Sequence, residues 1–328
     1  MEFPQFASST NLSIGKHLHS LYPKIEPFRQ HYIKVSSLHH IYVEQCGNQN
    51  GIPVVFLHGG PGSGCKEKHR RYFDPAIYHV ILFDQRGCGR STPQGELAQN
   101  NTAALVKDID IIRAHIGISK WLVFGGSWGA TLGLLYTQQY PHHVLGMILR
   151  GVFLARPQDI NWAYSSQGAA QIYPEAWQNL MNTLSYEQQQ KPLQSIYNNL
   201  IDTDEQVSRN TYNQLQQWEC KILNITPPVP KKIGDTFNKN ATLIQLHFSI
   251  NNCFIDEDVI IKFANKLQDT RMHIIHGRHD FVCPVEQAWQ LSHHCPHASL
   301  RVLEKSGHLA DEPLMIDALI AATIAFNQ

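Results

Sequence analysis

Phe124-Gly125-Gly126-Ser127-Trp128-Gly129 is the stretch on which the reading of this chain turns. Four mostly apolar residues, Trp121 to Phe124, lead into it as a buried strand. Ala130 to Tyr140 leave it as a helix that stops at Pro141. A serine between a strand and a helix, with glycines two positions to either side, has the form of a nucleophile elbow. The turn is so tight that a Cβ at the flanking glycines would strike the neighbouring strand or helix. The Ser127 hydroxyl then stands at the tip, within reach of a base and of an approaching carbonyl. A bare Gly-x-Ser-x-Gly is weak evidence; the strand before it and the helix after it give it weight.

Outward from the elbow, short apolar runs alternate with helical stretches. Val54-Val55-Phe56-Leu57 enters His58-Gly59-Gly60-Pro61-Gly62, and Val80-Ile81-Leu82-Phe83 ends in Asp84-Gln85-Arg86-Gly87. Leu105, Ile109, Ile112 and Ile116 fall at helical spacing, and Met147 to Leu149 reads as a further strand. Buried apolar strands alternating with helices predict a mostly parallel sheet flanked by helices, an α/β fold. From about Arg156 the texture changes to amphipathic helical stretches rich in Gln, Asn, Trp and Tyr. The α/β pattern resumes at His273-Ile274-Ile275-His276 and Leu300-Arg301-Val302-Leu303. The predicted organisation is an α/β core over 1–155 and 267–328, interrupted by a helical cap over 156–266 that lies over the strand ends.

Composition narrows the function classes. The 27 basic and 27 acidic residues cancel, which argues against nucleic acid or an anionic membrane as partner. Met1 to Ser20 has neither a basic n-region nor an apolar h-region, and no apolar run reaches the ~20 residues needed to cross a bilayer. Seven cysteines at irregular spacing do not form a disulfide framework, so a reduced, cytoplasmic protein is expected.

A serine hydroxyl becomes a useful nucleophile only when a base takes its proton, and the base needs an orienting acid. On an elbow of this kind the chain order is serine, acid, histidine. Asp280 follows the strand His273–His276, and His308 follows the strand Leu300–Leu303 through Ser306-Gly307. Each therefore sits at a strand's carboxyl edge, where sheets of this type place their sites. Among 19 histidines, His279 is the rival base, but it adjoins the acid. Asp84 is a rival acid, but it precedes Ser127; tying down its own loop together with Arg86 is the plainer account. The tetrahedral oxyanion needs two fixed N–H donors. Trp128, next after the nucleophile, supplies one; Gly60 supplies the other, because Pro61 has no N–H. The glycines Gly59 to Gly64 do not make a phosphate loop, since Cys65 stands where a lysine is required. His293-His294-Cys295 with His297 is the densest group of metal-binding types, but adjacent histidines on a helix point apart, so neither metal nor cofactor is expected.

With these residues assembled, the chain resembles the proline iminopeptidases, peptidases of the α/β-hydrolase fold. The resemblance rests on His58-Gly-Gly-Pro-Gly62, Phe83-Asp-Gln-Arg-Gly-Cys-Gly-Arg-Ser91, Gly125-Gly-Ser-Trp-Gly129, Leu149-Arg-Gly151 and Gly307-His308, in order. It implies Ser127 as nucleophile, Asp280 as orienter and His308 as base, with small peptides as substrates. It further implies a cap pocket for an N-terminal proline whose ammonium is gripped by acidic residues. Trp218-Glu219 matches one such acid, and Arg150, Phe153 and Cys283 match pocket positions. A pocket thiol at Cys283 is expected to be reached by bulky thiol reagents. Two positions depart: Ile250 stands where the second acid is expected, and Ala163, flanked by Trp162 and Tyr164, where a tyrosine is expected. Two rival readings use the same residues. One is an esterase or amidase accepting uncharged acyl groups; the other is a ligand-binding relative with little turnover, against which the intact triad argues.

Overall fold

A computed structural model describes residues 18–230, 232 and 238–327. Residues 1–17, on which the reading of the N-terminus largely rests, lie outside the described residues, as do a few positions of the predicted cap. Eight strands form one sheet in the order β1-β2-β4-β3-β5-β6-β7-β8. They are β1 (Arg29–Lys34), β2 (His40–Gly47), β3 (Ile52–Leu57), β4 (Tyr78–Phe83), β5 (Trp121–Gly126), β6 (Val144–Arg150), β7 (Met272–Gly277) and β8 (Ser299–Leu303). From β4 onward across the sheet every pairing is parallel, whereas β1 and β2 join antiparallel at one edge. Those two strands have no counterpart in the sequence reading, and the rest of the sheet falls where it was expected.

Side chains alternate across each strand, so one sequence feeds two apolar layers. Val55, Leu57, Ile81, Phe83 and Val123 face one cluster; Val54, Phe56, Val80, Leu82, Leu122 and Phe124 face the other. The helices α1 (Thr102–Ile116) and α2 (Trp128–Gln139) cover the first face, and α10 (Pro313–Phe326) covers the second. Asn101 caps α1 by accepting from the Ala104 N–H, and Gly117 ends it in the left-handed conformation, at φ +80°.

Between β6 and β7 the described residues carry helices only: α3 (Pro157–Tyr164), α4 (Pro174–Met181), α5 (Pro192–Leu200), α6 (Glu205–Ile222), α7 (Asn240–Ile250) and α8 (Val259–Lys262), with short 3-10 turns. Their apolar residues, among them Leu180, Ile196, Trp218 and Phe248, belong to the same cluster as Ile109, Trp128 and Leu149 of the core. Phe248 meets Trp128 edge-on at 5.1 Å between ring centroids. The last helix, α8, packs on α2, where the Gln138 side chain donates to the Ile260 carbonyl at 2.8 Å. The segment thus rejoins the core before β7 begins. Among the described residues no helix is long and apolar enough to cross a membrane. After β7 the chain forms α9 (Val285–His294) before entering β8.

Candidate active site

Strand β5 delivers Ser127 into the turn and α2 begins on the next residue, Trp128. Ser127 adopts φ +57° and ψ −125°, a conformation that costs a non-glycine residue free energy and persists because its surroundings hold it. A Cβ on Gly125 would collide with the Gly129 carbonyl, and one on Gly129 with the Leu57 carbonyl of β3. The elbow is therefore closed by backbone packing against backbone. Its N–H donates to the Arg150 carbonyl at 2.9 Å, which fastens the turn to β6.

Asp280 follows β7 and is 3% exposed; His308 follows β8 and is 8% exposed. Their side chains meet, His308 Nδ1 lying 2.7 Å from Asp280 Oδ2. The other carboxylate oxygen accepts the N–H groups of Cys283 (2.7 Å) and Val282 (3.0 Å). Burial alone would push the Asp280 carboxyl up, but the facing His308 and its hydrogen bond, His276 and the Cys283 amide together hold it below the usual range. His276 is buried beside it, with Nδ1 accepting the Val152 N–H at 3.2 Å and Nε2 at 2.8 Å from the Cys283 carbonyl. Its Nε2 also lies 3.4 Å from Asp280 Oδ2. His279, the rival base, is exposed and stacks on Phe281. Asp84, the rival acid, accepts from the Cys65 amide and from the amide and guanidinium of Arg90, while Arg86 pairs with Asp108. Both residues tie down their loop.

Gly151 brings the two sides of the site together. A Cβ there would lie 3.2 Å from His308 Cε1 and 3.4 Å from Asp280 Oδ2. Arg150 Nη1 donates to the His308 carbonyl, and the guanidinium lies so close to Gly126 that a Cβ would strike it. Arg150, expected in the pocket, is thus engaged with the histidine loop. The Ser127 side chain lies beside the Cys283 thiol. Cys283 itself is 2% exposed, and burial, then the Asp280 charge, pushes its thiol well above the ordinary value. A buried, protonated thiol is inert, which corrects the expectation that bulky reagents reach it. Phe153 is partly buried against the main apolar cluster, its carbonyl accepting from Thr131 Oγ1 at 2.6 Å.

The loop after β3 lies directly over the serine, a Cβ on Gly59 falling 3.5 Å from Ser127 Cβ. Gly60 has φ +115°, open only to glycine at small cost. Trp128 opens α2, so its N–H has no intrahelical acceptor.

Glu219 on α6 meets α3 and α7. Gln245 Nε2 donates to Glu219 Oε1 at 2.7 Å and to the Tyr164 hydroxyl at 2.8 Å, and Gln216 Nε2 donates to Glu219 Oε2 at 3.1 Å. The Tyr164 hydroxyl is 3.5 Å from Glu219 Oε1, too long for a firm bond. No cation faces the carboxylate in this group, and burial pushes it up to about 7 in spite of the three polar neighbours. Gln245 was missed in the sequence. Its signal was faint: one of many glutamines in an amphipathic stretch, five residues before Ile250 on the same helix.

The chain matches the alpha/beta hydrolase fold over residues 52–311, a span that holds all the groups just described. It is 40% identical over 313 residues to a probable proline iminopeptidase of Leptolyngbya boryana, covering 94% of this chain and 97% of that relative. The proline iminopeptidase of Xanthomonas citri is 39% identical, covering 94% of this chain and 100% of that relative. A solved proline iminopeptidase of Mycobacterium smegmatis shares the fold with a TM-score of 0.58 at 16% identity, covering 91% of this chain and 99% of that one. This α/β hydrolase belongs to the proline iminopeptidase family.

Proposed function

We propose that this chain is a serine exopeptidase releasing an N-terminal residue, preferably proline, from small peptides through an acyl-enzyme. The observation that carries the reading is the buried Asp280–His308 pair beside a strained serine elbow. Asp280 Oδ2 fixes the proton of His308 on Nδ1, which leaves Nε2 free as the base. Catalysis needs a hydrogen bond from Ser127 Oγ to His308 Nε2, a contact often open before substrate arrives. Ser127 Oγ then attacks the scissile carbonyl as its proton passes to His308 Nε2. The oxyanion is held by the N–H groups of Gly60 and Trp128. Collapse expels the leaving amine, which takes the proton from His308, and water repeats the cycle on the acyl ester. Arg150 holds the histidine loop in register.

The helical segment 156–266 acts as the cap, and Glu219 receives the substrate ammonium. A positive charge arriving there favours ionisation of a carboxyl that is otherwise pushed up to about 7. The esterase reading draws on that same feature, since a neutral Glu219 tolerates an uncharged acyl group. The test is Ser127→Ala, assayed on proline p-nitroanilide and on a simple ester. Loss of a triad member typically costs ~10⁴-fold or more in rate, and both activities should vanish with the fold intact. Retention of more than a few percent of the proline activity would remove Ser127 from the mechanism; wild-type turnover of the ester alone would favour the esterase.

A further inference from the structure

We infer that Gln85, with His58, is a positioning residue that sets the direction and spacing of the two oxyanion donors. The inference rests on the serine-hydrolase reading above, and it concerns a cluster that this reading leaves unexplained. Gln85 is 1% exposed, His58 1% and Trp128 0%, so none of their polar atoms can turn to solvent for a partner. Gln85 Oε1 accepts the Trp128 indole N–H at 3.0 Å, and Gln85 Nε2 donates to the His58 carbonyl at 2.9 Å. The amide orientation is unambiguous, because an indole only donates and a carbonyl only accepts.

The backbone of Gln85 completes the arrangement. Its N–H donates to His58 Nε2 at 3.0 Å, so the single proton of the neutral ring sits on Nδ1. Nδ1 in turn donates to the Gly59 carbonyl at 2.9 Å. A peptide unit is planar, so fixing the Gly59 carbonyl fixes the Gly60 N–H on the opposite side of the same plane. One donor is thus aimed through His58 and the other is anchored through the Trp128 ring. Gln85 is the bridge between them, and burial keeps His58 neutral by pushing its ring down from the ordinary value.

An oxyanion hole misaimed by a fraction of an ångström loses transition-state stabilisation while ground-state binding stays intact. Gln85→Met keeps the length and apolar bulk of the side chain and removes both side-chain hydrogen bonds. For this variant kcat on proline p-nitroanilide should fall about 10–100-fold with KM within about twofold. Affinity for prolyl boronic acid, whose tetrahedral Ser127 adduct occupies the hole, should fall by the same factor. Affinity for proline amide in the Ser127→Ala background, which forms no adduct, should not change. Equal loss of boronate and amide binding would make Gln85 merely structural, and unchanged boronate affinity would remove it from the site altogether; either result overturns the inference. Should Gln85→Met not fold, Gln85→Leu removes the same two side-chain hydrogen bonds with a shorter apolar side chain and should show the same pattern. A failure of the underlying mechanism looks different: wild-type protein would then bind the boronate no more tightly than the amide.

Discussion

The two halves of the site are built on opposite principles. On the sheet side the groups that carry the chemistry are held by partners: Asp280 accepts from His308, Val282 and Cys283, and Gln85 joins His58 to Trp128. On the helical side Glu219 is surrounded by two carboxamides and a hydroxyl, without a countercharge in that group. It is an acid held short of full ionisation, and in the proposed reading a ligand's ammonium would supply what it lacks. If the proposed roles hold, chemistry is preorganised where charge appears only in the transition state, and recognition is left incomplete where the charge comes with the substrate.

The largest expected effect bears on the sheet side. Asp280→Asn can no longer fix the His308 proton on Nδ1 as a carboxylate does, and kcat should fall ~10⁴-fold with KM little changed. A loss of less than tenfold, measured on proline p-nitroanilide, would show that His308 is oriented by something else, with His276 the neighbouring group to examine.

On the helical side the effect should be smaller and dependent on substrate. Glu219→Gln should lower kcat/KM roughly 30-fold or more for a free-amine proline amide, since truncating one partner of a desolvated pair costs ~2–5 kcal/mol. An N-acylated ester, which brings no ammonium, should lose little. Equal losses on both substrates would erase the contrast between the halves and make Glu219 a structural residue.

The smallest effect is on stability. The Glu219 carboxyl stands near 7 in the folded chain against an ordinary 4.5, so between those values the folded state holds more protons than the unfolded state. Stability contributed by the protonated acid is complete below about 4.5 and is lost as pH rises through 7. Glu219→Gln removes this dependence. Its Tm should match wild type near pH 5 and exceed it by about 2–4 °C near pH 8, a modest shift because Glu219 is partly open to solvent. A Tm difference independent of pH would mean that Glu219 is already ionised in the free protein.

How far the sequence revealed this follows from where partners lie along it. Strands β3 to β6 were legible because their residues are mostly apolar on both faces, and β7 and β8 because each holds a short run dominated by Ile, Leu and Val. Strands β1 and β2 were not, because their polar residues look exposed on paper. Glu44 of β2 is 1% exposed, yet it is held by Arg70 and Arg90, and Gln45 is held by His31 and His79. The order of Ser127, Asp280 and His308 could be read because the elbow dictates it. The bridge from Gln85 to His58 and Trp128 could not, although a buried indole usually finds an acceptor, because nothing local says which strand end supplies it. Glu219 was readable by resemblance; its pairing with Gln245 depends on how α6 and α7 cross.

Trp128 and Phe248 touch within one apolar cluster that runs from the sheet into the helices above it. That continuity bears on modularity. An engineer who exchanged the helical segment for that of a relative, hoping to graft a new specificity, would cut through a shared interior rather than along a seam. The graft would have to carry residues that match the start of α2, where Trp128, the residue that meets Phe248, directly follows Ser127. Specificity in this chain is therefore better altered one pocket residue at a time than by transplanting the segment whole.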